Sequence, residues 1–115
     1  MASSNKKVEK VMKMIPEMEK CTVIANIFKA LGDPGRFRIV KALSMGKLCS
    51  GDIAAVLNME NSLVSHQLQV LKHQGIVTFK KEGKFMIYSL SNGCVKKLLK
   101  LVDKHLKNCE QGEKL

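Results

Sequence analysis

Apolar residues recur at helical spacing along most of this chain and give way to strand-like runs in one place. Residues 1 to about 7 show no apolar periodicity and predict a disordered start. Val8, Val11, Met12 and Ile15 are helically spaced, but Pro16 interrupts them. The pattern predicts a short or frayed helix, then a fresh start with Pro16 in its first turn. Met18, Cys21, Val23, Ile24, Ile27, Phe28 and Leu31 form a broad apolar stripe ending at Gly32. Asp33-Pro34 is a restart signal, an N-cap acid before a proline at the first helical position. The helix it opens carries Phe37, Ile39, Val40 and Leu43 and stops around Met45-Gly46.

A short helix over residues 50–57 follows, with Ser50 as its expected cap and Ile53, Ala54, Val56 and Leu57 as expected core. After a turn at residues 58–61, a further helix runs over about 62–74, with Val64, Leu68 and Leu71 inward and Gly75 as terminator. The runs Ile76-Val77-Thr78-Phe79-Lys80-Lys81 and Phe85-Met86-Ile87-Tyr88-Ser89-Leu90 are β-branched and aromatic-rich, and they flank Glu82-Gly83-Lys84, a hairpin signal. A last helix is expected from residue 91 or 92 to 108. The implied organisation is a flexible or frayed segment over 1–15, one domain over 16–109 and a polar tail over 110–115. Two short helices joined by a tight turn and followed by a basic hairpin predict a winged helix-turn-helix, mainly α with a small β-hairpin.

Composition narrows the partner. The chain has 115 residues, with 20 Lys and Arg against 10 Asp and Glu, a formal net charge of +10. Such a balance favours a polyanion, nucleic acid ahead of an anionic membrane surface, although an ordinary basic protein has it too. No apolar run approaches the roughly 20 residues needed to span a bilayer, so no membrane role is expected. The start MASSNKKVEK is basic with no apolar segment behind it, which predicts no secretory signal and a cytoplasmic location. Cys21, Cys49, Cys94 and Cys109 stand singly with no CxxC pair, so a sequence-local zinc knuckle is excluded. No hydrolytic triad, carboxylate pair or phosphate loop is visible, and Asp103 and His105 are two apart on one helix and do not face each other, so an enzyme is not expected.

On the second helix of the pair, Ser62, Ser65, His66 and Gln69 share the face opposite Val64, Leu68 and Leu71. Together with Asn61 at the helix start, they are short or planar side chains that donate and accept hydrogen bonds, as readers of base edges must. A solvated helix face more often carries Glu and Lys. Lys80, Lys81 and Lys84 cluster at the hairpin tip, where a phosphate-gripping wing would need them.

These segments resemble the ArsR/SmtB family of metal-responsive repressors. Ala30-Leu31-Gly32-Asp33-Pro34-Gly35-Arg36-Phe37-Arg38-Ile39 is similar to that family's ALADPTRLRIL-type segment, and Leu63-Val64-Ser65-His66-Gln67-Leu68 to its recognition helix. Lys81-Glu82-Gly83-Lys84 and Ile87-Tyr88-Ser89-Leu90 look like its wing. The likeness spans roughly residues 21–109. It implies a homodimer, joined through the first and last helices, that represses from an inverted-repeat operator on double-stranded DNA until an inducer binds. Independently, one such domain reads only a few base pairs, and the amphipathic first and last helices need an apolar partner. No cofactor is expected for DNA binding itself; Zn, Cd, Pb, As(III) or Cu(I) are the expected inducers.

The sensing residues leave alternatives open. One family site uses a Cys-x-Cys pair leading into the first helix of the helix-turn-helix. Cys49 matches its first cysteine, but Gly51 stands near the second and cannot ligate, and a site needs about three or four donors. Residues 1–20 contain no cysteine, and Cys21 falls inside the first long helix, where a small buried filler is the simpler reading. A second family site lies between the last helices of the dimer, and the matching positions are Asn92, Cys94, His105 and Asn108. Cys94 and His105 are eleven residues apart, about 20° off one face and roughly 16 Å along the axis. In an antiparallel pair, Cys94 of one chain can meet His105 and Cys109 of the other, a soft S, N, S set suited to Zn, Cd or Cu(I). An apolar seam with cysteines as fillers fits equally well. A third route is thiol oxidation or persulfide sensing. There the position matched to the first cysteine is Lys41, which counts against it, while pairing of Cys49 or Cys21 with Cys109 stays open. A rival from another class is a constitutive DNA binder whose cysteines sense nothing.

Overall fold

The structure is a computed structural model and describes residues 2–110. Its elements are α1 (Ala2–Met14), α2 (Met18–Leu31), α3 (Pro34–Leu43), β1 (Leu48–Cys49), α4 (Ser50–Leu57), α5 (Asn61–His73), β2 (Val77–Glu82), β3 (Phe85–Leu90) and α6 (Gly93–Glu110). The expectations for Met1 and for residues 111–115 lie outside the described residues.

The restart at Asp33 forms as the sequence predicts. Asp33 is the N-cap of α3, its Oδ2 accepts from the Arg36 backbone N–H at 3.0 Å, and Pro34 supplies a preset φ at the first helical position. α4 ends on Asn58 in the left-handed region (φ 52°), which reverses the chain tightly enough to start α5 at Asn61. The hairpin register pairs Glu82 with Phe85 and Lys80 with Ile87, leaving Gly83 and Lys84 as a two-residue loop. Gly83 has φ +61°, which that tight loop requires at its first position. Asn92 caps α6 by accepting from the Cys94 backbone N–H at 2.9 Å.

One core gathers from α2 through α6. Ile39, Val40, Ile53, Val64, Leu68, Leu71 and Ile76 are its largest fully buried side chains, and Leu99 brings α6 onto it. This packing seats α4 against α5 and lays the sheet against both.

Four expectations are corrected. Residues 2–14 form one continuous helix rather than a disordered start followed by a frayed turn. Nothing in that stretch breaks a helix, Glu9 precedes Lys13 at the favourable spacing, and Pro16 ends the run after the Ile15-to-Val11 hydrogen bond. The sheet has three strands in the order β1-β3-β2, because Leu48 and Cys49 pair with Tyr88 and Ile87. A strand of two residues is too short to leave an alternation signal. That pairing also moves the cap. Cys49 occupies the N-cap position in extended conformation without a side-chain hydrogen bond, and Ser50 is the first helical residue. Finally, Val56 is 64% exposed, because Ile53, Ala54 and Leu57 define the buried stripe and 100° per residue carries Val56 off it.

Several large apolar side chains are left uncovered in the single chain. They are Val8, Val11, Met12 and Ile15 on and just after α1; Met18, Val23, Ile24 and Phe28 on α2; and Leu101, Val102 and Leu106 on α6. Among the described residues, no helix is long and apolar enough to cross a membrane.

Candidate nucleic-acid interface

The reading face is built by an inward stripe that leaves its opposite side free. Val64, Leu68 and Leu71 sink fully into the core, so the helical period turns Asn61, Ser62, Ser65, His66 and Gln69 outward, and all five are exposed. None is engaged by another side chain of the described residues, so their hydrogen-bonding groups are available to base edges.

The wing lysines divide into two sets. Lys80, Lys81 and Lys84 are all exposed, but successive strand residues point to opposite faces. Lys81 shares its face with Phe79, whose ring lies under the Lys72 ammonium of α5 at 4.1 Å, while Lys80 points to the other face. Lys84 sits in the loop, 5.5 Å from the Phe85 ring centroid.

Behind the reading face lies a polar cluster that periodicity does not signal. Gln67, only 9% exposed, is the buried polar side chain of the core. Its Oε1 accepts from Arg36 Nη1 at 3.0 Å, and its Nε2 donates to Asp33 Oδ2 at 3.2 Å. Arg36 Nε also donates to the Ala30 carbonyl near the end of α2 at 2.8 Å. The one hint in the sequence is a glutamine at the edge of an apolar stripe, one position before Leu68.

The structure places the candidate sensing residues apart. Cys94 is exposed in the first turn of α6, and Cys109 Sγ lies 3.5 Å from His105 Nε2 near its far end. Cys21 is half-buried and its thiol meets the Pro16 carbonyl at 3.4 Å. Cys49 lies in β1 opposite Ile87. Among the described residues of one chain, no three His, Cys, Asp or Glu side chains gather to hold a metal. Lys41 joins α3 to α6 through Asp103 at 2.6 Å, so an ion pair stands at the position that a thiol-pair sensor would need for cysteine.

The profile of the bacterial regulatory protein arsR family matches residues 33–78, from the α3 cap through the reading helix into β2. A transcriptional repressor SmtB homolog from Synechocystis is 35% identical over 106 residues, covering 90% of this chain and 80% of its own. The chain belongs to the ArsR family. The fold agrees over most of this ArsR-family protein. A homodimeric winged helix-turn-helix DNA-binding domain from Mycobacterium bovis superimposes with a TM-score of 0.72 at 29% identity, over 81% of this chain and 93% of that one. The AntR antimony-specific transcriptional repressor does so with a TM-score of 0.73 at 30% identity, over 84% and 87%. The ArsR-family protein is thus a winged helix-turn-helix transcription regulator and not an enzyme.

Proposed function

We propose that this protein is a homodimeric, sequence-specific repressor that occupies an inverted-repeat operator and is released by a thiophilic metal or metalloid ion. The observation that carries the reading is the uninterrupted polar face of Ser62, Ser65, His66 and Gln69, exposed on a helix whose other side is locked into the core. Dimerisation is supported by Met18, Ile24 and Phe28 on α2 and Leu101, Val102 and Leu106 on α6, apolar side chains that one chain leaves in water. Each leaves on the order of 100 Å² of surface, together about 600 Å², three quarters of the ~800 Å² per partner of a standard interface. The homodimeric state of the Mycobacterium bovis domain agrees with this.

For the inducer, the His105–Cys109 contact supplies two soft donors one helical turn apart, and Cys94 from a second copy would complete an S, N, S set. Zn, Cd and Cu(I) are the ions suited to such donors, with Pb and As(III) the further candidate inducers, and the antimony specificity of AntR is consistent with a thiophilic signal. The protein would act in the cytoplasm, where its thiols stay reduced.

The test has two steps. A duplex is first selected by the chain from a random library, and release from it is then measured across Zn, Cd, Pb, As(III), Cu(I), peroxide and persulfide. Release by one or more of the metal ions, abolished by Cys94→Ser with DNA binding intact, is the expected result. Release by peroxide or persulfide alone would make the protein a thiol-redox repressor, and release by nothing a constitutive binder.

A further inference from the structure

The buried Gln67 amide joins three elements at one point. Asp33 caps α3, Arg36 stands in the first turn of that helix and reaches the α2 carbonyl of Ala30, and Gln67 belongs to the reading helix α5. Gly35 makes room for this approach. A Cβ there would lie 3.2 Å from Asp33 Oδ2 and 3.3 Å from Gln67 Nε2, closer than those groups comfortably allow.

We propose that Asp33, Arg36 and Gln67 are positioning residues that set the angle of the reading helix against the α2–α3 elbow, and thereby the spacing of two reading helices in the dimer. This rests on the dimeric-repressor reading above. Three physical points carry it. A helix seated by apolar packing alone can rock or slide slightly at little cost, because dispersion is not directional. Two hydrogen bonds from one planar amide, to a guanidinium on one side and a carboxylate on the other, restrict both motions. Gln67 directly follows His66 and stands two residues after Ser65, so a displacement at the amide passes to the base-reading groups almost undiminished. Base-edge hydrogen bonds hold within a few tenths of an ångström, so a shift of about 1 Å breaks them. The Ala30 carbonyl ties the same point to α2, whose uncovered face carries Ile24 and Phe28. The placement of the dimer seam and the placement of the reading helix are thus joined through one arginine.

The test uses the full chain and three duplexes: the one selected by the wild-type chain, the same duplex with one base pair inserted between its half-sites, and a random sequence. The insertion moves the half-sites apart by about 3.4 Å and rotates them by about 34°. Gln67→Met is expected to keep its helical circular dichroism and its affinity for random duplex within about twofold. It should bind the selected duplex about tenfold more weakly, the equivalent of one charge-assisted hydrogen bond, and lose most of the preference for it over the inserted one. Retention of both preferences by Gln67→Met, even with a lowered melting temperature, would overturn the proposal, and so would an equal loss on all three duplexes. If Gln67→Met does not fold, the same two ratios measured on Gly35→Ala, which removes no hydrogen-bonding group, decide the matter. Failure of the repressor reading itself is visible in the wild type, as no selected sequence or no penalty for the insertion, and the proposal falls with it.

Discussion

Replacing Lys81 and Lys84 together by alanine should flatten the salt dependence of DNA binding, whereas replacing Lys80 should leave it nearly unchanged. The wing presents three exposed lysines, but strand alternation sends Lys80 to the face opposite Lys81. Lys81 lies on the Phe79 side, which packs beneath Lys72 of the reading helix, and Lys84 projects from the loop. On the proposed dimeric reading, one duplex meets two wing lysines per protomer, four in a dimer. Each neutralised phosphate contributes about 0.9 to the slope of log K against log salt, so the double variant should lose about 3.6 from it. Between about 50 and 200 mM salt, that makes the variant's affinity fall about 150-fold less than the wild type's. Phosphates carry no base identity, so the preference for selected over random duplex should be retained. Fluorescence anisotropy on both duplexes across that salt range measures each quantity. A slope unchanged in the double variant would refute the wing assignment, and an equal slope loss in Lys80→Ala would refute the division between the two faces.

Ser65→Ala combined with His66→Ala should weaken binding to the selected duplex by about 1–3 kcal/mol for each base-edge interaction removed, with little change on random DNA. Competition binding checks this, and unaltered specificity would remove the reading face from α5. Ile53→Ala, at a fully buried site, should lower stability by about 2–5 kcal/mol in urea unfolding, while Val56→Ala should stay within about 0.5 kcal/mol; comparable destabilisation by both would mean that Val56 is covered in the working assembly. Phe28→Asp with Leu106→Asp should convert the dimer to monomers in sedimentation experiments and weaken binding to the selected duplex, and a persisting dimer would place the seam on other surfaces.

The exposed polar face of α5 was legible because helical period alone separates Val64, Leu68 and Leu71 from Ser62, Ser65, His66 and Gln69, and burial then follows from the same arithmetic. The Asp33-Pro34 start and the Gly83 loop were legible because each depends on local backbone chemistry. Val56 was misplaced because a helix of eight residues has too few turns to define its buried face without knowing what packs on it. The third strand was missed because β1 owes its conformation to β3, almost forty residues later, and not to Leu48 and Cys49 themselves.

By itself, then, the sequence determined what short-range forces determine: where most helices start and stop, which stripe of each is apolar, the turn of the hairpin, and the net charge of +10. Tertiary structure decided which polar groups meet across long separations in the chain. It brought Gln67 onto Arg36 and Asp33 and set Lys41 against Asp103. Periodicity reports only whether a side chain faces inward. Which partner it finds there depends on how elements far apart in sequence are laid against one another, and packing of the whole core sets that.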